Sequence, residues 1–417
     1  MMSFILRQRW LCVSLASFVL VFILFVYDAH REPPMMRQLR ANGIPTTIEE
    51  LKAKYPLPPD SENGMHLLLE AAEKLWEPNG DDYYNLPLPG NHDVEFGVPL
   101  TQEQQEALRQ YVDKNQEVLE LIFRAMEYPY IRLPHDRYLH EDFSPHRGVR
   151  RQARLLCCVA LDAALNGDMK LMNRAVTAGL RLGEPFFYGT VYMDYFSGAS
   201  YVAYSLNAIQ LILGYVIPPR DILQQWRQTL SLLSDITFTH AQNAIRNENA
   251  YSITAYRYAG PSFDGKEHEM SLLLKRNTLE WMQIPSFWAI RQCQRGLTET
   301  LNATNDSIYH AYVLSQDYDL FLYWFNAVFF PPLAIYDSVL RATASHLARL
   351  ATTQTALAAL LFQYDHGHLP ETLDELVPDY LEAASRDPFT PGDAIRCRMI
   401  DDVAVFYSVG RIARDDG

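Results

Sequence analysis

Cysteine is scarce in this chain: five in 417 residues, with no Cys-x-x-Cys pair. That excludes a disulfide framework and argues against a thiolate zinc site or a thioredoxin-type redox pair. Cys12 lies in an apolar run, while Cys157 and Cys158 are adjacent within a helical pattern. Basic runs are missing too. Thirty-six Lys and Arg against 50 Asp and Glu give a net charge of −14. Binding nucleic acid requires a basic surface, so nucleic acid is not an expected partner. The Gly-x-Ser-x-Gly elbow, the Walker loop, Gly-x-Gly-x-x-Gly and His-Glu-x-x-His are all absent. The sequence therefore names no reaction, and no catalytic or cofactor-binding residue is assigned.

What is present is ordinary for folded protein. Hydrophobic residues make up 48% and charged residues 21%, which excludes wholesale disorder and leaves room for two or three domains. One apolar run stands out: Trp10 to Tyr27 carries no charge. As a helix it measures about 27 Å, enough to cross a bilayer core. Arg7 and Arg9 precede it and Asp28 follows it. The positive-inside bias then puts residues 1–9 in the cytoplasm and the bulk outside. The run is longer than a usual signal-peptide core, and no clear small-x-small site follows it, so a retained anchor is preferred to a cleaved leader.

Residues 28–60 hold Pro33, Pro34, Pro45, Pro56, Pro58 and Pro59 and read as a stalk with one short helix over Thr47 to Tyr55. Residues 61–335 carry a helical period throughout. Leu67, Leu68, Ala71 and Leu75 form one stripe; Thr101 caps another helix carrying Leu108, Val112, Leu119 and Ile122. Residues 77–99 read as a loop. The clearest unit is a hairpin over 148–183, closed at Asn166-Gly167-Asp168, where Gly167 suits the left-handed cap and Asp168 caps the next helix. Further helices are expected over 198–214, 220–245, 269–281 and 284–295. Phe321 to Phe330 is too short to span a membrane and reads as core. No constant repeat period emerges, so the expectation is an irregular helical array.

Two polar clusters could carry chemistry. His135 to Asp142, with His146, looks like a ligand set, but His135 and His140 are five apart and fall on different helix faces. Pro134 and Pro145 suggest an extended loop there. Arg150, Arg151 and Arg154, and further on Arg246-Asn247-Glu248, fit pairing with carboxylates across helices that fixes register.

The tail has its own pattern. Leu340, Leu347, Leu350, Leu357 and Leu361 form a helical stripe ending at Gly367 with Pro370 beyond. Thr372 to Glu375 fits a capping box, and 395–400 and 403–408 can pair as a hairpin around Asp401-Asp402. Long helix, short helix and small antiparallel sheet, with Gly367-His368-Leu369-Pro370, Asp387-Pro388-Phe389, Tyr407-Ser408-Val409-Gly410 and Asp415-Asp416, resemble the major pseudopilin of type II secretion systems. The resemblance implies an α+β module over 336–417 and a bacterial setting. It also implies a terminal loop that binds calcium, with Asp415 and Asp416 matching the family's paired acids. Met1 to Trp10 lacks the family's Gly-Phe cleavage site and following Glu, which argues against processing into a pseudopilus.

The expected fold is thus mainly α: a single N-terminal transmembrane helix over 10–27, a stalk over 28–60, an irregular α-helical array over 61–335 and a pseudopilin-like α+β module over 336–417. The expected protein is single-pass in the bacterial inner (cytoplasmic) membrane, with its bulk extracytoplasmic. It is read as a non-catalytic interaction or scaffold protein with an envelope protein partner. The alternatives are an extracytoplasmic hydrolase with a cleft near His135–His146 or Arg246–Glu248, and a secretion or pilus component.

Overall fold

Asn166-Gly167-Asp168 closes the hairpin as the sequence suggests. Gly167 takes φ +76°, and the Asp168 carboxylate accepts from the Leu171 N–H at 2.9 Å, opening the second helix. The computed structural model describes residues 34–78, 86–88, 98–134, 144–187, 191–258, 331–390, 392–400 and 403–410. Their helices are α1 (Pro34–Ala41), α2 (Ile48–Lys54), α3 (Met65–Lys74), α4 (Gln102–Lys114), α5 (Gln116–Ala125), α6 (Ser144–Leu165), α7 (Met169–Leu182), α8 (Glu184–Phe187), α9 (Tyr192–Leu213), α10 (Arg220–Tyr258) and α11 (Pro331–His366). A two-stranded antiparallel sheet, β1 (Arg396–Ile400) and β2 (Val403–Tyr407), follows, with Ile400 opposite Val403 and Arg396 opposite Tyr407.

One expectation needs correction. Among the described residues no helix is long and apolar enough to cross a membrane. The longest, α10 and α11, carry charges along their length, including Arg220, Asp221, Arg227 and Asp235 on one and Arg341, Arg349 and Asp365 on the other. A spanning helix needs about 20 predominantly apolar residues in a row. Trp10 to Tyr27 lies outside the described residues, so the single N-terminal transmembrane helix is not supported and the fold is corrected to mainly helical. The expected helices over 269–281 and 284–295 and the Phe321–Phe330 segment also lie outside the described residues.

The array is built by α6, α7 and α9 packed on one another, with α3, α4 and α5 against α6 and its neighbours. Thr101 starts α4 with a capping box: its hydroxyl accepts from the Gln104 N–H, and the Gln104 side chain accepts from the Thr101 N–H. The α7–α9 crossing is very close. A Cβ on Gly183 would sit 2.8 Å from the Gly198 carbonyl oxygen, and one on Gly198 would sit 2.9 Å from the Gly183 oxygen. Only glycine at both positions allows this approach, which seats Phe186 and Phe187 in the core.

One continuous apolar core runs from Leu39 through α3–α10 to Val339, Leu350, Leu357 and Leu361 of α11. The same helix buries a second stripe. Ala344 and Ala348 pack with Phe389 and Val409, while Ala358 and Phe362 pack with Leu376 and Leu381. At 100° per residue the two stripes are roughly 130° apart around the helix. α11 is therefore a shared wall, with the array on one side and the C-terminal α+β module on the other. It crosses the boundary the sequence suggests between residues 335 and 336.

Candidate functional site

Two places in the fold concentrate polar side chains: a closed layer inside the array, and an open groove where α10 and α11 meet the module.

The closed layer draws on five helices, α6, α8, α9, α10 and α11. His146 lies in the first turn of α6, because Pro145 sits where a helix tolerates proline, instead of in the extended loop its neighbours suggest. Its Nε2 lies 3.0 Å from Asp194 Oδ1 on α9, both residues are buried, and Tyr201 donates to the His146 carbonyl at 2.8 Å. Phe187 then contacts Tyr195 (5.7 Å between ring centroids), His240 of α10 (6.2 Å) and His346 of α11 (5.7 Å). Burial drives the His240 imidazole down to about 4, with Arg132 adding to the effect. Burial likewise drives His346 down to about 3, with Arg349 nearby. Both rings are thus neutral at ordinary pH. His346 Nε2 and the Asn247 amide are buried without hydrogen bonds, each at a cost of about 1–3 kcal/mol. Every member is buried, so the layer presents nothing to solvent. Its physical role is to fix how α6, α9, α10 and α11 register.

The groove is built from three walls. Gln354 of α11 donates to Ser234 Oγ at 2.9 Å, and Arg220 of α10 holds Asp365 of α11 through two bonds of 3.1 and 2.9 Å. These fix α10 and α11 antiparallel, in a register that also sets His240 level with His346. The Arg220 pairing depresses the Asp365 carboxyl. Tyr380 of the module donates to the same carboxylate at 2.8 Å, and Tyr364 donates to the Pro218 carbonyl at 3.0 Å. Arg227 of α10 donates to the Tyr380 carbonyl. The module is therefore pinned at its base.

The third wall is the segment Leu381 to Thr390, with Gly392. It is held by Asp387, which is buried and accepts from the Phe389 N–H (2.9 Å), the Ser408 hydroxyl (2.8 Å) and the Val409 N–H (3.0 Å). Two sequence motifs, Asp387-Pro388-Phe389 and Tyr407-Ser408-Val409-Gly410, thus meet at one carboxylate. A buried charge with three donors is compensated and directional, so it locks the strand end to the loop.

Between these walls lies a cavity of about 860 Å³. Arg227, Asp235 and exposed Leu232 (67%) line it from α10, and Glu382, Arg386 and Thr390 line it from the module. Two polar atoms along it are buried without a partner: Arg227 Nε and Thr390 Oγ1.

The sequence-derived candidates distribute unevenly. Asp415 and Asp416, proposed for calcium, lie outside the described residues, as do His135 to Asp142. Among the described residues no group of three or more His, Cys, Asp or Glu could hold a metal ion. Arg151 pairs with Glu77 at 2.8 Å and donates to the Leu75 carbonyl at 3.0 Å, Arg154 donates to Tyr204 Oη at 3.1 Å, and Arg150 is exposed. Asn247 is buried on α10, and the side chains of Arg246 and Glu248 lie outside the described residues. Cys157 and Cys158 are buried, and burial pushes the Cys157 thiol up to about 12, so neither is a reactive thiolate. Sequence reasoning missed Arg227, Asp235 and Thr390, whose convergence depends on residues far apart in the chain. No family model, curated protein or solved structure matches this chain.

Proposed function

We propose that this chain is a non-catalytic interaction scaffold of the bacterial envelope, in which a helical array carries a pseudopilin-like α+β module and offers the groove between them to a protein partner. The observation that carries this reading is α11, which buries one stripe in the array core and a second in the module. A shared helix holds the groove walls at fixed separation, which a docking surface needs and a flexible tether would not provide. The motif residues quoted for the resemblance support the same reading: Asp387, Ser408 and Val409 serve the module's own integrity and leave its outer surface available. The hydrolase alternative is favoured less, because His146, Asp194, Tyr195, His240 and His346 are all buried.

The test is site-specific photo-crosslinking in cells, with the crosslinker at Leu232 in the groove or at Leu165, an exposed residue at the far end of α6. The expected outcome is a discrete adduct from Leu232 that is absent from Leu165. Equal adducts from both positions, or none from Leu232, would sink the scaffold reading.

A further inference from the structure

The groove combines apolar surface with charges of both signs, and these properties narrow what it takes. Small-molecule sites of about 300–1,000 Å³ are mostly apolar with a few polar groups. This one has the volume, about 860 Å³, and sets apolar surface from Leu232, Leu347 and Ala351 among charged, hydroxyl and amide side chains. Arg227 and Arg386 supply cations on opposite walls, and Asp235 and Glu382 supply anions beside them. Arg227 spends one terminal nitrogen on the Tyr380 carbonyl and keeps a buried Nε–H with no acceptor. Across the groove Thr390 Oγ1 is also buried and unbonded. Both atoms are closed off by the protein's own packing, so recognition falls to the charged ends that line the groove: a guanidinium calls for a carboxylate or carbonyl oxygen, and a carboxylate for an ammonium or guanidinium. Leu232 and the half-buried Leu347 add one apolar contact area between them.

We infer that the groove binds an extended polypeptide segment of a partner, whose acidic side chain meets Arg227 and Arg386 and whose basic side chain meets Asp235 and Glu382. An apolar residue of that segment lies on exposed Leu232. The inference rests on the scaffold reading and names the partner's chemistry at that same groove.

The experiment screens the full chain against an array of 12-residue peptides that vary the number and spacing of Asp/Glu and Lys/Arg, then measures the best binder by fluorescence polarisation. Peptides carrying both signs should bind, and those carrying one sign should not. Arg386→Gln, at an exposed position, should weaken binding by about tenfold, as loss of a charged contact at an interface does. Arg227→Gln should do the same, and Arg109→Gln, an exposed residue on α4, should change nothing. Binding should also fall as salt rises. No peptide binding, or equal binding to Arg386→Gln and the unmodified chain, would overturn the inference. If Leu232 still crosslinks a protein in that case, the peptide claim alone fails; if it does not, the scaffold reading fails with it.

Discussion

The array and the module are stabilised by different means. The array has one continuous apolar core that reaches from α1 to α11. The module has two clusters of four buried residues each, and in both of them two come from α11. What the module lacks in apolar burial it replaces with directed polar contacts: Asp387 and its three donors inside, Tyr380 and Asp365 at its base. The array should therefore tolerate losing the module, while the module has no helix to lean on without the array.

The largest effect should come from the array core. Trp226→Ala removes a fully buried side chain whose indole N–H donates to Asn173 at 2.8 Å. It should cost about 3–5 kcal/mol, and denaturant unfolding should show array and module failing together. If the module signal survives the array's transition, the dependence runs the other way. Asp387→Ala comes next, at about 2–3 kcal/mol for donors left without their carboxylate. Hydrogen exchange should rise in β1 and β2 and stay low in α6 and α7; uniform exchange across both regions would refute the separation.

Smaller still is the pH response of the wall between them. His240 and His346 are held near 4 and 3 when folded, below the ordinary value of 6.5. Their contribution to stability is full above about 6.5 and is lost as pH falls toward those folded values, because only the unfolded chain takes up the protons. The slope is at most about 1.4 kcal/mol per pH unit per group. His346→Phe should flatten the melting temperature between pH 6 and 4; an unchanged slope would remove His346 from the account. The smallest effect belongs to Arg220→Ala. Its pair with Asp365 is exposed, so the unfolding midpoint should scarcely move. Local exchange at Tyr380 should nevertheless increase, and protection equal to that of the unmodified chain would mean the pin is dispensable.

Local signals made much of this fold legible. Gly167-Asp168, Thr101 with Gln104, and Thr372 with Glu375 act within a few residues of themselves, so their spacing was sufficient. The leucine stripe of α11 was equally visible. Its second stripe was not, because Ala344, Ala348 and Ala358 are small and read as neutral helix formers until Phe389 and Leu376 are seen against them. Pro145 misled for a related reason: proline breaks a helix interior but suits its first turn, and the sequence does not say which turn it occupies. The groove was beyond reach. Arg227 and Arg386 line one groove only after α10, α11 and the module pack together, and no period or motif records that packing.

The shared wall also sets an order of assembly. α10 and α11 are separated by residues 259–330 in the sequence, yet they pack along most of their length. Bringing together two helices so far apart in sequence is entropically unfavourable until the contacts that reward it exist. During synthesis from the N-terminus, α10 is complete long before α11 emerges, and the face it packs on α11 waits without its partner. A chaperone acting on this protein would find its substrate there, in the interval before the last helix arrives.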